Sequence, residues 1–159
     1  LAEFCPARRR MDLVFAAGGI EVYSDYAHHP AEIRALVGTA AALPHRRLLA
    51  VFQPHRYTRT LALGTQFPAA FRGVDSLVLV PVYAASETPL AGGTSLDLLD
   101  HFRGSETVAV EYAESLDAAW KLLRARLRKG DVLLVVGAGD VEKIGVWAAA
   151  ELGTRTPSV

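Results

Sequence analysis

The chain has 159 residues, of which 51% are hydrophobic, and its 17 basic and 17 acidic side chains leave no formal net charge. The apolar fraction is enough for the core of one compact domain and excludes a disordered chain. Zero net charge argues against nucleic acid or a membrane as partner, and the single cysteine, Cys5, excludes an internal disulfide and a cysteine zinc cluster. The composition fits a reducing cytoplasm. The chain starts at Leu1 and its only methionine is Met11, so we expect a fragment of a longer protein.

The predicted elements alternate between strands and helices. A hairpin comes first, over residues 11–26, because Gly18 and Gly19 can take the positive φ angles of a tight turn. A helix begins at Pro30, which suits the first helical position, and Glu32 in its first turn complements the helix dipole. Short apolar runs predict buried strands at 47–52, 76–83, 106–112 and 131–140. Helical spacing predicts further helices at about 61–71, 95–102, 115–130 and 141–152.

The helix at 115–130 has the clearest end signals, since Ser115 can cap its start and Gly130 can close its end. One face is lined by Leu116, Trp120, Leu123 and Leu127. The alternation predicts an α/β fold with a mainly parallel, Rossmann-like sheet, helices on both faces and the antiparallel N-terminal hairpin at one edge. We expect one domain over residues 1–152, followed by a loose C-terminal tail at 153–159.

Polar segments follow four of the predicted strands. They are DYAHHP (residues 25–30), QPHRYTR (53–59), YAASETP (83–89) and GAGD (137–140). Ligands of open α/β sheets gather outside the carboxyl ends of the strands. We therefore expect the four segments to meet at one end of the sheet and to form one site.

The side chains of these segments suit the binding of anions. Arg56 and Arg59 can each offer two parallel donors to a phosphate or a carboxylate, and the N–H groups at the start of the Pro30 helix add partial positive charge. Histidine can donate to an anion or take a proton from an amine. Asp25 can accept hydrogen bonds from sugar hydroxyls. The structural alternative is that the arginines are ordinary surface residues and that His28 and His29 only bond to backbone groups at a helix start.

Several common catalytic motifs are missing. The chain has no P-loop and no His-Glu-x-x-His pattern. The GAGDVE run has two glycines of a dinucleotide fingerprint, but Glu142 holds the third place, so we interpret Gly137 and Gly139 as a tight strand-to-helix turn. A small hydrolase with His28 or His55 as base lacks the Gly-x-Ser-x-Gly elbow. A stand-alone nucleotide- or amino-acid-binding module is the main alternative to a domain of an enzyme.

The segments DYAHHPAEI, AVFQPHRYTRT, VYAASETPLAGG and LLVVGAGDVEKI, in this order and spacing, resemble the C-terminal domain of the Mur ligases. The resemblance implies an ATP-dependent, amide-forming ligase of bacterial peptidoglycan synthesis, whose N-terminal and central domains are missing from this chain. The QPHRYTR segment favours the branch that uses UDP-N-acetylmuramate and L-alanine. The resemblance also implies that ATP and Mg²⁺ are bound mainly by the central domain and that this domain alone is inactive.

The resemblance further implies roles for individual residues, none of them a confident catalytic residue or a metal ligand. Asp25 resembles the acid that meets the nucleotide ribose, and Arg10 an arginine that approaches the nucleotide phosphates. Residues that resemble the lining of the amino-acid and acyl-phosphate side are Tyr26, His28, His55, Arg56 and Arg59. The segment that resembles an amino-acid recognition segment comprises Tyr83, Ala84, Ala85, Ser86 and Glu87.

Two positions depart from the family pattern. Ser86 stands where the family usually has glycine, which leaves the backbone shape of that segment open. Cys5 and Pro6 stand where the family usually has Gly-Val, at the entry to the domain, and we interpret this change as linker variation.

Overall fold

The sheet has five parallel strands and one antiparallel edge strand, in the order β1-β2-β6-β3-β4-β5. The computed structural model describes residues 9–153. Its strands are β1 (Asp12–Ala17), β2 (Ile20–Asp25), β3 (Arg47–Phe52), β4 (Ser76–Leu79), β5 (Ala109–Tyr112) and β6 (Asp131–Val136). Its helices are α1 (Pro30–Ala41), α2 (Tyr57–Leu63), α3 (Phe67–Ala70), α4 (Ser95–Ser105), α5 (Leu116–Arg126) and α6 (Glu142–Leu152). None of these helices is long and apolar enough to cross a bilayer. The predicted α/β fold is confirmed.

The N-terminal hairpin forms as predicted and adds the antiparallel edge. Gly18 and Gly19 make the turn between β1 and β2 with φ angles of 61° and 78°, which L-residues adopt at a steric cost. A Cβ on Gly19 would also lie 2.5 Å from the side chain of Lys129. The departure at Cys5 and Pro6 and the predicted tail beyond Gly153 lie outside the described residues.

The hydrophobic core has two halves, one on each face of the sheet. β6 lies in the middle of the sheet, and all six of its residues are buried. Its Val132, Leu134 and Val136 pack with α1, α3 and α4, while Leu133 and Val135 pack with α5 and α6 on the other face. Burial on both faces explains why this strand is a continuous apolar run without alternation.

The helix predicted at 61–71 is wrong in its bounds. The chain becomes helical already at Tyr57 and then divides into α2, a 3₁₀ turn at Gly64–Gln66, and α3. Pro68 has no N–H group to donate to the preceding turn, so a continuous helix is interrupted here. Gly64 packs against His101, since a Cβ would lie 3.0 Å from the imidazole. The earlier start places Arg59 in the first turn of α2.

Two strands are shorter than their apolar runs. β4 ends at Leu79, two residues before Pro81, which has no N–H to continue the ladder. β5 begins only at Ala109. The helix before it, α4, runs on to Ser105 and ends at Glu106, whose φ of 52° turns the chain towards β5.

The role predicted for Gly130 is wrong. α5 ends at Arg126, and the following Leu127 is already extended, with ψ of 131°. Gly130 instead lies in the turn that enters β6, with φ of 95°, and its N–H donates to the carbonyl of Gly19 at 2.7 Å. A Cβ there would lie 2.7 Å from the side chain of Arg46. Positive φ and close packing therefore both require glycine.

A buried carboxylate begins β6. Asp131 is 2% exposed, and Arg47 binds both of its oxygens, from Nε at 2.9 Å and from Nη2 at 2.5 Å. The backbone N–H of Arg128 donates to it as well, at 2.8 Å. Burial by itself raises the pKa of Asp131, but these hydrogen bonds and the nearby arginine charges outweigh it and lower the pKa. Because the folded-state pKa is depressed, the stabilisation is present above the unfolded-state pKa and is lost as the pH falls through the folded one.

We expect Arg47→Met to lower the free energy of unfolding at pH 7 by about 2 kcal/mol, because it leaves the carboxylate of Asp131 buried with only a backbone donor. The arginine side chain is 43% exposed, which keeps the cost below that of a fully buried pair. The difference from the parent protein should shrink as the pH falls below about 4, where an ordinary aspartate is protonated. Urea unfolding across this pH range measures it.

Arg34→Met, on the exposed side of α1, removes the same charge away from any buried acid and is the matched control. Equal effects of the two substitutions at pH 7 would contradict a special role for the Arg47–Asp131 pair.

Candidate functional site

The four polar segments meet at the carboxyl ends of β2, β3, β4 and β6, as predicted. Backbone hydrogen bonds join them in pairs. The N–H of Gly137 donates to the carbonyl of Asp25 at 3.1 Å, and the N–H of Tyr83 to that of Pro54 at 2.8 Å. The segments therefore form one continuous surface along this edge of the sheet.

Gln53 connects the segments after β3 and β6, and sequence analysis did not single it out. The side chain is 5% exposed, its amide donates to the carboxylate of Asp140 at 2.8 Å, and its carbonyl oxygen accepts the N–H of Val141 at 3.1 Å. A Cβ on Gly139 would lie 2.5 Å from both this oxygen and the ring of Tyr83. The GAGD segment is thus a strand-to-helix turn packed against its neighbours, as interpreted. The available signal in the sequence was a polar residue directly after an apolar strand.

The segments after β3 and β4 pair along their length. His55 and Tyr83 form an isolated parallel bridge, and the N–H of Arg56 donates to the carbonyl of Tyr83 at 2.8 Å. Arg56 has φ of 70° and ψ of 136°, a conformation that costs a non-glycine residue free energy unless its surroundings impose it. Ser86 also has positive φ, at 73°, a conformation that glycine adopts at a lower steric cost.

Glu87 binds the start of α2. Its carboxylate accepts the hydroxyl of Thr58 at 2.6 Å and the N–H of Thr58 at 3.2 Å. The Thr58 hydroxyl is the main cause that lowers the pKa of Glu87. Arg56, at the N-cap position, makes no side-chain cap bond, so the carboxylate from the neighbouring segment supplies an acceptor that the helix start lacks.

Four rings form a row across three of the segments, and we call Tyr26, His28, His55 and Tyr83 the ring row. Successive ring centroids are 5.5 Å, 5.7 Å and 5.6 Å apart. Arg59 donates to Nδ1 of His55 at 3.0 Å and to the carbonyl of the same residue at 3.1 Å. Burial is the main cause that lowers the pKa of His55, followed by the positive charge of Arg59. Both causes favour the neutral imidazole of His55.

A cleft of about 560 Å³ adjoins the row on the α1 side. Its polar lining comprises Arg9, Arg10, Asp25, Tyr26, His28, Glu32 and Thr39. Asp25 is held in place by two backbone donors, the N–H groups of Met11 and Ala27, each at 2.7 Å. Its carboxylate oxygens can each accept a further hydrogen bond. Arg10 lies exposed at the rim.

Arg9, next to Arg10, connects three parts of the chain through its guanidinium. It donates to the hydroxyl of Ser24 and to the carbonyl of Gly137, both at 2.8 Å, and lies 3.1 Å from the carboxylate of Glu142. Its guanidinium also lies 5.8 Å from the ring centroid of Tyr26. Sequence analysis missed this residue, because adjacent arginines look alike until the fold decides which one points inward.

The two adjacent histidines have different tasks. His29 accepts the N–H of Ala31 at 3.1 Å and its own N–H donates to Glu32 at 3.1 Å, which is a capping box at the start of α1. The structural interpretation is therefore confirmed for His29, while His28 belongs to the ring row and lines the cleft. Between residues 9 and 153, His, Cys, Asp and Glu side chains form no group of three or more that could hold a metal ion.

Relatives of known name cover nearly all of this chain. UDP-N-acetylmuramate–L-alanine ligase of Anaeromyxobacter sp. is 41% identical over 145 residues, which are 91% of this chain and 31% of that protein. The ligase of the same name from Mycolicibacterium gilvum is 39% identical over 159 residues, or 98% of this chain and 33% of that protein. The chain thus spans about a third of the length of the curated relatives it matches.

Solved structures agree with this relationship. UDP-N-acetylmuramate-alanine ligase from Thermotoga maritima superposes with a TM-score of 0.74 at 27% identity, over 92% of this chain and 30% of that one. A murein peptide ligase from Psychrobacter arcticus gives a TM-score of 0.76 at 21% identity, over 94% of this chain and 31% of that one. This similarity shows the shared fold alone. The family profile described as "Mur ligase, glutamate ligase domain" matches residues 9–139. The chain therefore belongs to the Mur ligase family, of which it contains the glutamate ligase domain.

Proposed function

We propose that this chain, over residues 1–152, is the C-terminal domain of an ATP-dependent ligase that joins UDP-N-acetylmuramate to L-alanine in the cytoplasm, in bacterial peptidoglycan synthesis. In this reaction ATP phosphorylates the lactyl carboxylate of the sugar nucleotide, and the amine of alanine attacks the resulting acyl phosphate. The names and identities of the relatives support the choice of substrates. The remaining domains of such an enzyme would bind the sugar nucleotide and most of the ATP.

The observation that carries the proposal is the meeting of two arginines with the ring row. Arg56 and Arg59 lie in the first turn of α2 or just before it, beside His55 and Tyr83. Guanidinium groups and a neutral imidazole offer hydrogen-bond donors to the oxygens of a carboxylate or an acyl phosphate. Charge that develops on these oxygens during attack is stabilised by donors already held in place.

We assign the nucleotide side to the cleft. The carboxylate of Asp25 is oriented by its two backbone donors and can accept from ribose hydroxyls, and the exposed Arg10 lies at the same cleft, where phosphates would pass. Among residues 9–153, His, Cys, Asp and Glu side chains form no group of three or more that could hold Mg²⁺. In our proposal the metal that accompanies ATP is held by the other domains of the enzyme.

The segment Tyr83–Glu87 takes part in amino-acid recognition in our proposal through Tyr83 of the ring row, beside Ala84 and Ala85. Glu87 contributes indirectly, because its carboxylate is engaged with Thr58 and thereby holds the first turn of α2. Recognition of L-alanine then depends on the segment at 83–89 and on the segment at 53–59 together.

We expect the 159-residue chain alone to release no phosphate from ATP in the presence of UDP-N-acetylmuramate and L-alanine. The chain has no P-loop to hold the ATP phosphates, and its donors can only stabilise a reaction that other domains assemble. Phosphate release should appear in the full-length protein and depend on both substrates. Release by the 159-residue chain that depends on both would refute this division of tasks.

In the full-length protein, Arg56→Lys should lower kcat/KM for L-alanine about a hundredfold, and Arg56→Ala at least as much. The ammonium of lysine cannot copy the two parallel donors of a guanidinium, and the loss of one charge-assisted contact in a water-poor site costs about 2–4 kcal/mol of transition-state stabilisation. Steady-state kinetics over L-alanine concentration measure the effect, and thermal melting shows whether the fold is intact.

The matched control is Arg34→Lys, the same exchange on the exposed side of α1, which should leave kcat/KM unchanged. If both Arg56 variants melt normally and keep the parent kcat/KM, Arg56 is an ordinary surface arginine, whose replacement changes stability by less than about 0.5 kcal/mol.

A further inference from the structure

The Nδ1 atoms of His28 and His55 have partners of opposite hydrogen-bonding character, a carbonyl oxygen and a guanidinium. We propose that His28 accepts the proton of the incoming amine at Nε2, and that His55 donates from Nε2–H to an oxygen of the acyl phosphate or of the amino-acid carboxylate. The assignment rests on the proposed function for the identity of the reactants. The tautomers rest on contacts within this chain alone.

The contact with Arg59 decides the tautomer of His55. A guanidinium has only donors and an imidazole nitrogen that receives a donor must carry a lone pair. Arg59 lies 3.0 Å from Nδ1 of His55, so the ring hydrogen of the neutral imidazole is on Nε2. Burial, Arg59, His28 and Arg56 all lower the pKa of His55, against a smaller opposite effect of Glu87. His55 is therefore suited to donate a hydrogen bond, and its Nε2 has no lone pair for a proton.

His28 has the opposite arrangement. Its Nδ1 lies 3.1 Å from the carbonyl oxygen of Tyr26, which can only accept, so Nδ1 carries the hydrogen. The carboxylate of Glu32 lies 3.7 Å from the same nitrogen and favours this tautomer further. Nε2 of the neutral ring then keeps its lone pair. A nitrogen base whose other nitrogen is oriented by an acceptor is the usual arrangement of a histidine that takes up a proton.

Titratable groups from several elements surround His28. Glu32 approaches from α1, the ring of Tyr26 stands edge-on at a centroid distance of 5.5 Å, and His55 lies 5.7 Å away on the β3 segment. The same cleft contains the groups of Asp25 and of two arginines, Arg9 and Arg10. Two rings 5.7 Å apart can contact two different groups of one small reactant pair, the amine and a neighbouring anion.

The proposed step balances without a further reactant. The amino acid arrives as an ammonium, and Nε2 of His28 takes one proton, which frees the lone pair of the amine. The lone pair attacks the acyl carbon, the C–N bond forms, and the C–O bond to phosphate breaks with its electron pair on the phosphate oxygen. The second proton of the nitrogen goes to the departing phosphate, and the imidazolium of His28 later releases its proton to water.

The tautomers are measured by ¹⁵N NMR of the histidine-labelled full-length protein near pH 8, with single-histidine substitutions for assignment. We expect the protonated nitrogen to be Nδ1 in His28 and Nε2 in His55. His45 is the internal reference, because its Nδ1 also lies against a carbonyl two residues earlier, that of Leu43 at 2.6 Å. The reverse tautomers in His28 and His55 would overturn the inference.

The roles are tested by substitutions that copy one ring nitrogen at a time. His28→Asn places an amide donor near the position of Nδ1 and removes Nε2, so kcat should fall about a hundredfold or more and the acidic limb of the kcat–pH profile should disappear. His55→Gln places a donor near the position of Nε2 and should keep most of the activity, whereas His55→Ala should lose it about tenfold or more.

His45→Asn is the matched control, because it makes the same exchange at a histidine outside the site whose Nδ1 also lies against a backbone carbonyl. It should leave kcat and the kcat–pH profile unchanged. All variants are compared by thermal melting. An active parent protein whose His28→Asn variant keeps kcat and the acidic limb would overturn the role of His28. Equal loss in His55→Gln and His55→Ala would overturn the donor role of His55. A full-length parent protein with no activity towards the two substrates would instead overturn the proposed function.

Discussion

The site depends on the position of β6 between β2 and β3. β6 pairs in parallel with β2 on one side and with β3 on the other, and it is buried on both faces of the sheet. Parallel pairing places the carboxyl ends of neighbouring strands at the same edge. Segments that are far apart along the chain thereby come into contact, and Gln53 ties the end of β3 to the end of β6 through both of its amide atoms.

Contacts between neighbouring loops hold several of the functional side chains. Arg56 adopts a backbone conformation that costs a residue about 1–3 kcal/mol when it is imposed. It is imposed here because its N–H is bound to Tyr83 and because the following turn is bound by Glu87. The strained residue is one of the two arginines whose positive charges lower the pKa of His55. A site built this way is expected to be sensitive to changes in either loop, including changes at residues that touch no substrate.

The histidines at this edge of the sheet differ in their hydrogen-bonding partners, and these partners give the rings different properties. His29 is used up in capping α1, His28 has its Nδ1 on a carbonyl oxygen, and His55 has its Nδ1 on a guanidinium. The partner donates to Nδ1 in His29 and His55 and accepts from Nδ1 in His28, and this difference decides which ring nitrogen of the neutral imidazole carries the hydrogen. Arg9 and Arg10 differ in a similar way, since one is bonded to Ser24 and Gly137 while the other stays exposed.

The sequence by itself determined the fold class, the edge hairpin, the capped start of α1 and the meeting of four polar segments. These follow from local signals: Gly18-Gly19, Pro30, the apolar run of β6, and the rule that ligand loops follow parallel strands. It also carried the family resemblance.

The tertiary structure alone decided the bounds of α2, the role of Gly130, the inward turn of Arg9, the tasks of Gln53 and Glu87, and the tautomers of two histidines. Each of these depends on a partner at a distance along the chain or on an adjacent loop: Gly130 on Gly19, Arg9 on Gly137, Glu87 on Thr58. Periodicity and local propensity describe what a residue prefers among its immediate neighbours. They carry no information about which donor or acceptor the fold will bring to it.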